Sequence, residues 1–452
     1  MNPSITDVTG NPENYLHEAA QADNPASGTV YDPEDDGTRL ASLGVHEHWN
    51  NPVDRQYSRN LGTGDGIELV MPSFATPDGP VRNTANSKRY DRIRHAISEA
   101  QSGEKIIVGP GVYQEDINFK GRNLTLSSSD PRDPAVVAAT VLSGAAGAQA
   151  VTFAAGEDES CVLSGLTITG ADTGIYCSGS SPTVTDCVIT GNQAAGIQMY
   201  EGSNPTITNC RIALNAGPGV KMWPKASGRV TIYNQPTITN CVIAANNGPG
   251  ISGGIPALTN CTIVANLQHG IGSLSPTVSN CLIYYNGNGS DTAQIESSLP
   301  TVTYSGVQGG WPGEGNIDVD PCFADPENGD YHLKSEAGRW DTSGRTWVRD
   351  DVTSPAIDTG KPDSDWSAEL WPNGKRVNMG AYGGTPQASM SLSEAGNVAD
   401  LRPDDAIDWQ DFAAFADSWL AEQVLLPEDL NRDGLVDIAD LRIFADEWLW
   451  GK

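Results

Sequence analysis

One phrase recurs five times along this chain. "SPTVTDCVITGN", "NPTITNCRIALN", "QPTITNCVIAAN", "IPALTNCTIVAN" and "SPTVSNCLIYYN" each set a Pro, then a Cys five residues on, then an Asn five residues further. The Cys are residues 187, 210, 241, 261 and 281, at spacings of 23, 31, 20 and 20. Self-similarity at such a period marks a repeat architecture in which each copy is one small structural unit stacked on the next.

The residues choose the kind of unit. Each copy carries short β-branched runs around Val184 and Ile189, Ile207 and Ile212, Ile238 and Ile243, Val278 and Ile283. Runs of three to five residues are too short for helices and suit strands. A further strand follows each Asn after a Gly, in "GIQMY", "GVKMW", "GISGG" and "GIGSL". A coil of about 20 residues with two or three short strands and no helical period predicts a parallel β-helix. Coils then stack about 4.8 Å apart, so each repeated residue lies over its copy. The Cys become an internal file of small apolar groups. Leu166 and Ser305 fall in the same register one coil before and one after. Disulfide or metal use of that file is disfavoured, because parallel side chains on adjacent coils make a poor bridging dihedral. Asn192, Asn215, Asn246, Asn266 and Asn286 are predicted to form a corner ladder and to take up its left-handed turn.

Composition narrows the classes of function. Acidic residues outnumber basic ones 57 to 27, for a net charge of −30. Such a chain is repelled by phosphate backbones, which argues against a nucleic-acid partner. No apolar run is long enough to span a bilayer. Eight Cys in 452 residues, with no CxxC pair, make neither a disulfide scaffold nor a zinc site. The opening residues lack the basic and apolar regions of a secretory signal. The first 80 residues read as an irregular acidic extension. Its "HEHW" (His46, Glu47, His48, Trp49) offers two His without a third ligand, so it is read as loop.

Residues 81–388 resemble the right-handed parallel β-helix proteins of the pectin-lyase-like superfamily. "RYDRIRHAISEAQSGEKIIVGPGVYQEDINFKGRNLTLSS" looks like the N-terminal cap and first coil of that group. Ile93, Ala96, Ile97 and Ala100 form one apolar helix stripe able to cover an open solenoid end. "DPCFADPENGDYHLKS", "SPAIDTG" and "NMGAY" look like the closing segment of exported bacterial β-helix proteins.

Residues 389–452 resemble a type I dockerin, a calcium-binding helical domain. In "DLNRDGLVDIAD", Asp429, Asn431, Asp433, Asp437 and Asp440 occupy positions 1, 3, 5, 9 and 12 of a calcium loop. Leu435 would offer its carbonyl at position 7, and Gly434 makes the sharp turn. The earlier copy, "DLRPDDAIDWQD", keeps Asp400, Asp404, Asp408 and Asp411 but has Arg402 at position 3 and Asp405 at the turn. The resemblance implies Ca2+ as cofactor and a cohesin-type protein partner. The Ser-Thr pair that clostridial relatives use for recognition is absent. The predicted whole is an all-β right-handed parallel β-helix followed by a small α-helical dockerin-like domain.

Alternation on the strand after the Asn corner turns Tyr176, Gln198, Lys221, Ser252 and Gly272 outward in one column. Ser178, Tyr200 and Trp223 follow in a second. The insertion "PKASGRVTIY" brings Lys225 and Arg229 to the same wall. Exposed aromatic rings stack on sugars, and cations pair with uronate carboxylates. Tyr176, Tyr200, Trp223 and Lys225 are therefore the candidate substrate-binding residues. By resemblance to pectate-lyase-like enzymes, Lys221 or Arg229 would be the base and Glu201 a calcium ligand. Asp172 and Asp186 do not share a register, so paired glycosidase carboxylates are not evident. Two readings follow. One is an exported, extracellular or cell-surface protein associated with polysaccharide, acidic glycans included, and tethered by its dockerin-like domain, with lyase or hydrolase activity left open. The other is a non-catalytic adhesive β-helix.

Overall fold

The computed structural model describes residues 49–50, 56–57, 74–289, 294–393, 395–423 and 425–448. The "HEHW" histidines lie outside these residues. The chain divides into two compact units, Met1–Ile107 and Val108–Lys452.

In the first unit, Val81–Asn83 and Arg89–Tyr90 form an antiparallel hairpin. The helix Ile93–Glu99 follows and buries Ile93, Ala96 and Ile97, the expected stripe. Glu99 ties helix to hairpin by accepting from Lys88 Nζ at 2.8 Å and Tyr90 Oη at 3.2 Å.

The second unit winds as a parallel β-solenoid. Each full coil contributes one strand to each of three parallel sheets, here called A, B and C in chain order. Around the second repeat these are Thr206–Thr208, Arg211–Ala213 and Val220–Met222. Among the described residues sheet B has nine strands and sheet C seven. The registers put like on like. Val184, Ile207, Ile238, Leu258, Val278 and Val302 pair in succession along A. Ile189, Ile212, Ile243, Ile263, Ile283 and Val307 do so along B. Ile175, Ile197, Val220, Ile251 and Ile271 do so along C. All are at most 3% exposed. Each contributes roughly 1.5–3 kcal/mol of apolar burial. The three files converge on one internal core.

The five repeated Cys line up at the A–B turn as buried free thiols. Their register is read from the backbone: Arg211, Val242, Thr262 and Leu282 donate to the carbonyls of Cys187, Cys210, Cys241 and Cys261. Leu166 and Ser305 continue the file: the Leu166 carbonyl accepts from Val188 N, and Ser305 Oγ accepts from Cys281 N at 3.1 Å.

The Asn ladder forms as expected. Nδ2 of Asn192, Asn215, Asn246 and Asn266 donates to Oδ1 of the next Asn at 2.9–3.0 Å, and Asn286 ends the run on Gln294. The left-handed turn, however, belongs to the residue before each Asn. Gly191, Leu214, Ala245, Ala265 and Tyr285 have φ between +53° and +66°. A ladder amide must point inward between coils, so the strained residue is the outward neighbour. Asn does take the left-handed role at the other corner, just before the Cys, at Asn209, Asn240, Asn260 and Asn280.

The closing segment folds back over the outer face of sheet B. Phe323, Tyr331, Leu333, Ile357 and Met379 pack on Ala213, Val242, Ala244, Val264, Leu282 and Tyr284. Polar bonds fix the lie: Asn240 and Asn260 Nδ2 each reach the Gly383 carbonyl at 2.8 Å, and Ala381 N reaches Thr262 Oγ1 at 2.9 Å. The chain then ends in two helices, Trp409–Asp417 and Ile438–Asp446, around a core of Ile407, Phe415, Leu430, Val436 and Phe444.

Candidate functional site

Sheet C presents the one outward wall that the sequence singled out. Tyr176 pairs with Gln198 and Gln198 with Lys221, then Ser252 and Gly272, in the predicted column. Ile197 and Met199 point inward, at 1% and 0% exposure. Tyr176, Tyr200 and Trp223 form a ring file up the wall, with centroids 5.5 Å and 6.4 Å apart. Trp223 and Tyr200 lie within 18° of parallel, so they face each other along the solenoid axis. Lys221 Nζ stands 4.7 Å from the Trp223 ring. Gln198 donates to Tyr200 Oη at 2.8 Å and accepts from Thr173 Oγ1 at 3.1 Å. Burial, then Tyr176, raises the Tyr200 pKa. What the wall offers a ligand is therefore a staircase of ring edges, with Trp223 43% exposed.

The insertion that lengthens one repeat is an exposed antiparallel hairpin, Lys225–Ser227 against Val230–Ile232. Ile232 Cγ2 seats it against the coil at Gly202, where a Cβ would stand 2.8 Å away. Lys225 Nζ lies 3.1 Å from Glu201, both half-exposed. Arg229 is carried on the exposed hairpin, beside Gly228 at φ +62°. The structure thus brings Tyr176, Tyr200, Trp223, Lys221, Lys225 and Glu201 onto one wall, and it commits Glu201 to a lysine. Asp186 sits at the A–B corner and accepts from Thr185 Oγ1 at 2.8 Å, whereas Asp172 precedes a sheet C strand. These two carboxylates occupy different corners.

The second locus is the pair of terminal loops, which repeat one bonding pattern at an interval of 29 residues. In the second loop Asp429 accepts from Asp433 N at 3.1 Å and Gly434 N at 2.8 Å, and Asp440 from Asn431 N at 2.9 Å. In the first, Asp400 accepts from Asp404 N and Asp405 N at 3.2 and 3.1 Å, and Asp411 from Arg402 N at 3.0 Å. Asp408 and Asp437 cap the helices that follow, each in a capping box with Asp411 or Asp440. Burial raises the pKa of Asp429 and of Asp400.

The second loop's donors are hard oxygens, and Asp429 and Asp440 are 6% and 0% exposed. Buried carboxylates call for a cation or for hydrogen bonds. Among the described residues no three His, Cys, Asp or Glu side chains converge as around an ion. Here the carboxylates turn to the loop itself: Asp433 accepts from Leu435 N and Asn431 Nδ2, Asp437 from Ala439 N at 2.7 Å. The donor chemistry fits a divalent cation once Asp433 and Asp437 exchange these partners for it. The first loop fits less well, because Arg402 replaces an oxygen donor.

Sequence reasoning passed over Glu369. It is 4% exposed and accepts from Asn378 N at 2.8 Å and Gly384 N at 2.7 Å. Burial pushes its pKa up to about 8. Nothing local in "SAELWPNG" signals this; the folded closing segment creates it.

Residues 140–271 match the family described as right handed beta helix region. The solenoid is accordingly a right-handed β-helix. Residues 302–360 match a second family, described as disaggregatase related. No curated protein matches the chain. Among solved structures, a pectate lyase, Pel9A, is 16% identical over 66% of this chain and 92% of its own, with a TM-score of 0.38. A rice weevil pectin methyl esterase is 14% identical over 51% and 79%, at 0.29. The ORF18 protein of Geobacillus virus E2 is 15% identical over 50% and 56%, at 0.27. Among the described residues no helix is long and apolar enough to cross a membrane.

Proposed function

We propose that this is an extracellular or cell-surface protein that binds polysaccharide along the sheet C wall of its β-helix and is tethered by a calcium-binding, dockerin-like C-terminal pair. The observation that carries the reading is the ring file of Tyr176, Tyr200 and Trp223 with Lys221 and Lys225 beside it, on an otherwise very acidic chain. Ring edges and the open part of Trp223 contact sugar C–H faces, and the lysines attract uronate carboxylates. Ca2+ would be held by Asp429, Asn431, Asp433, the Leu435 carbonyl, Asp437 and Asp440. The degenerate first set is Asp400, Asp404, Asp408 and Asp411. A cohesin-type protein would dock on the helices that follow.

A lyase would use Lys221 or Arg229 to take the proton beside a carboxylate, with Glu201 holding a cation. The Glu201–Lys225 pair favours polysaccharide binding without catalysis, because it engages the acid that a lyase mechanism needs. The deciding experiment sets the parent chain and Trp223→Ala against polyuronates and neutral glycans, with and without Ca2+. Binding is read by affinity electrophoresis and elimination by the ultraviolet absorbance of unsaturated uronates. Retardation by an acidic glycan, lost in Trp223→Ala, supports the proposal. Absence of binding and of elimination on every glycan refutes it.

A further inference from the structure

The two terminal loops touch the rest of the chain through residues that a calcium loop does not require. Position 4 of the second loop is Arg432. Its guanidinium lies 5.3 Å from the Trp347 ring, and its Nη1 contacts Met390 Sδ at 2.6 Å. Burial lowers its pKa to about 10. Trp347 belongs to the closing-segment hairpin Arg339–Asp341/Thr346–Val348, where Trp340 packs edge-on against it at 5.8 Å. Met390 is fixed to the same hairpin's base, its N donating to Gly338 O at 2.8 Å and its carbonyl accepting from Ser335 Oγ at 2.6 Å. The receiving surface is thus part of the solenoid's closing segment.

In the first loop, position 6 should be Gly and is Asp405, held at φ +66°. Its carboxylate pairs with Lys375 of the closing segment. This departure from the loop pattern, separate from Arg402 at position 3, is the one that ties the first loop down. Between these two contacts runs a cleft lined from both sides, by Trp366, Trp371 and Lys375 and by Asp400, Asp429 and Arg432.

We propose that residues 397–448 form a latch on the closing segment of their own chain, held by Arg432 on Trp347 and Met390 and by Asp405 on Lys375, and closed by a divalent cation in the loop Asp429–Asp440. The proposal rests on the calcium reading above. Arg432 is placed by the loop: its N–H is bonded to Asp429, while those of Asn431 and Asp433 are bonded to Asp440 and Asp429. Asp429, Asp433, Asp437 and Asp440 repel one another across this short span. A cation removes that repulsion and fixes the backbone from which Arg432 projects. Coupling is reciprocal, so docking must raise cation affinity by the factor by which the cation strengthens docking.

The test uses the full chain and Ca2+ alone. Trp347→Ala removes the docking partner without touching a loop donor, and Lys375→Ala removes the second contact. Calorimetry should show Trp347→Ala binding Ca2+ about fivefold or more weakly than the parent. In the parent, Ca2+ should slow proteolysis at 391–397 relative to chelator, and the double variant should lose that protection. Parent and variants binding Ca2+ equally, with cleavage unaffected by it, overturns the latch and leaves the calcium reading standing. A parent that binds no Ca2+ overturns both.

Discussion

Replacing Glu369 by Gln should make the protein more stable, and only above a definite pH. Glu369 is enclosed by the closing segment at 4% exposure. Its folded pKa is about 8, against 4.5 for the ordinary side chain. Burial is the main cause; the N–H groups of Gly384 and Asn378 work against it, and nearby Asp358 adds to it. The fold therefore binds this proton more tightly than the unfolded chain does. The stability it contributes is complete below about pH 4.5, declines as pH rises towards 8, and is gone above that. Each tenfold in proton affinity is worth about 1.4 kcal/mol, so ionising Glu369 in place costs on the order of 5 kcal/mol. Gln is neutral throughout, and its amide oxygen can keep the bonds to Asn378 N and Gly384 N. Parent and Glu369→Gln should then melt together near pH 4.5 and diverge progressively to pH 8, the variant higher. Other titrating groups cancel in the difference. A melting difference that is constant from pH 4.5 to 9 would refute the argument, since it would mean that the carboxyl titrates alike in both states.

Asn246→Ala should cost about 3 kcal/mol by denaturant midpoint, because it strips the acceptor from Asn215 N and Asn215 Nδ2 and the side-chain donor from Asn266 Oδ1; the exposed Gln193→Ala should be neutral. Burial pushes the thiols of Cys187, Cys210 and Cys281 far up, and only a thiolate reacts. A thiol reagent should therefore label the half-exposed Cys322 first and reach the internal file only on unfolding. Val264→Asp places a charge beneath the closing segment, and should speed amide exchange in residues 323–333 more than in sheets A and C.

The solenoid was legible because its signal is redundant. A period that repeats Pro, Cys and Asn in one register leaves few ways to stack, and alternation then fixes which side chains leave the wall. The same logic places Tyr176, Gln198 and Lys221 in one column from the sequence alone. It could not show that Tyr200 and Trp223 turn their faces to each other, because ring orientation depends on side-chain rotamers and not on register. The Asn ladder exposes a different limit. Asn has two separate reasons to sit at a corner, an amide that stacks and a backbone that tolerates positive φ. The repeat uses both at different corners, Asn240 for the turn and Asn246 for the stack.

The covering of sheet B was written in the sequence and not read. Strands open to water on one face alternate, as in "VIT" of Val188–Thr190, which exposes its flanking residues partly and buries only its centre. From Val242 onward the same strand reads "VIA", "TIV" and "LIY", and all three residues are buried each time. A strand buried on both faces loses its alternation, so the switch from Thr190 to Ala244 and Val264 marks the coils on which a second layer must lie. The layer that meets it comes from residues 323–381, beyond the last of these strands, in hairpins whose own apolar content is modest. Reading the loss of alternation along one column of the repeat, and not within one strand, would have placed the closing segment on sheet B and left sheet C as the open wall.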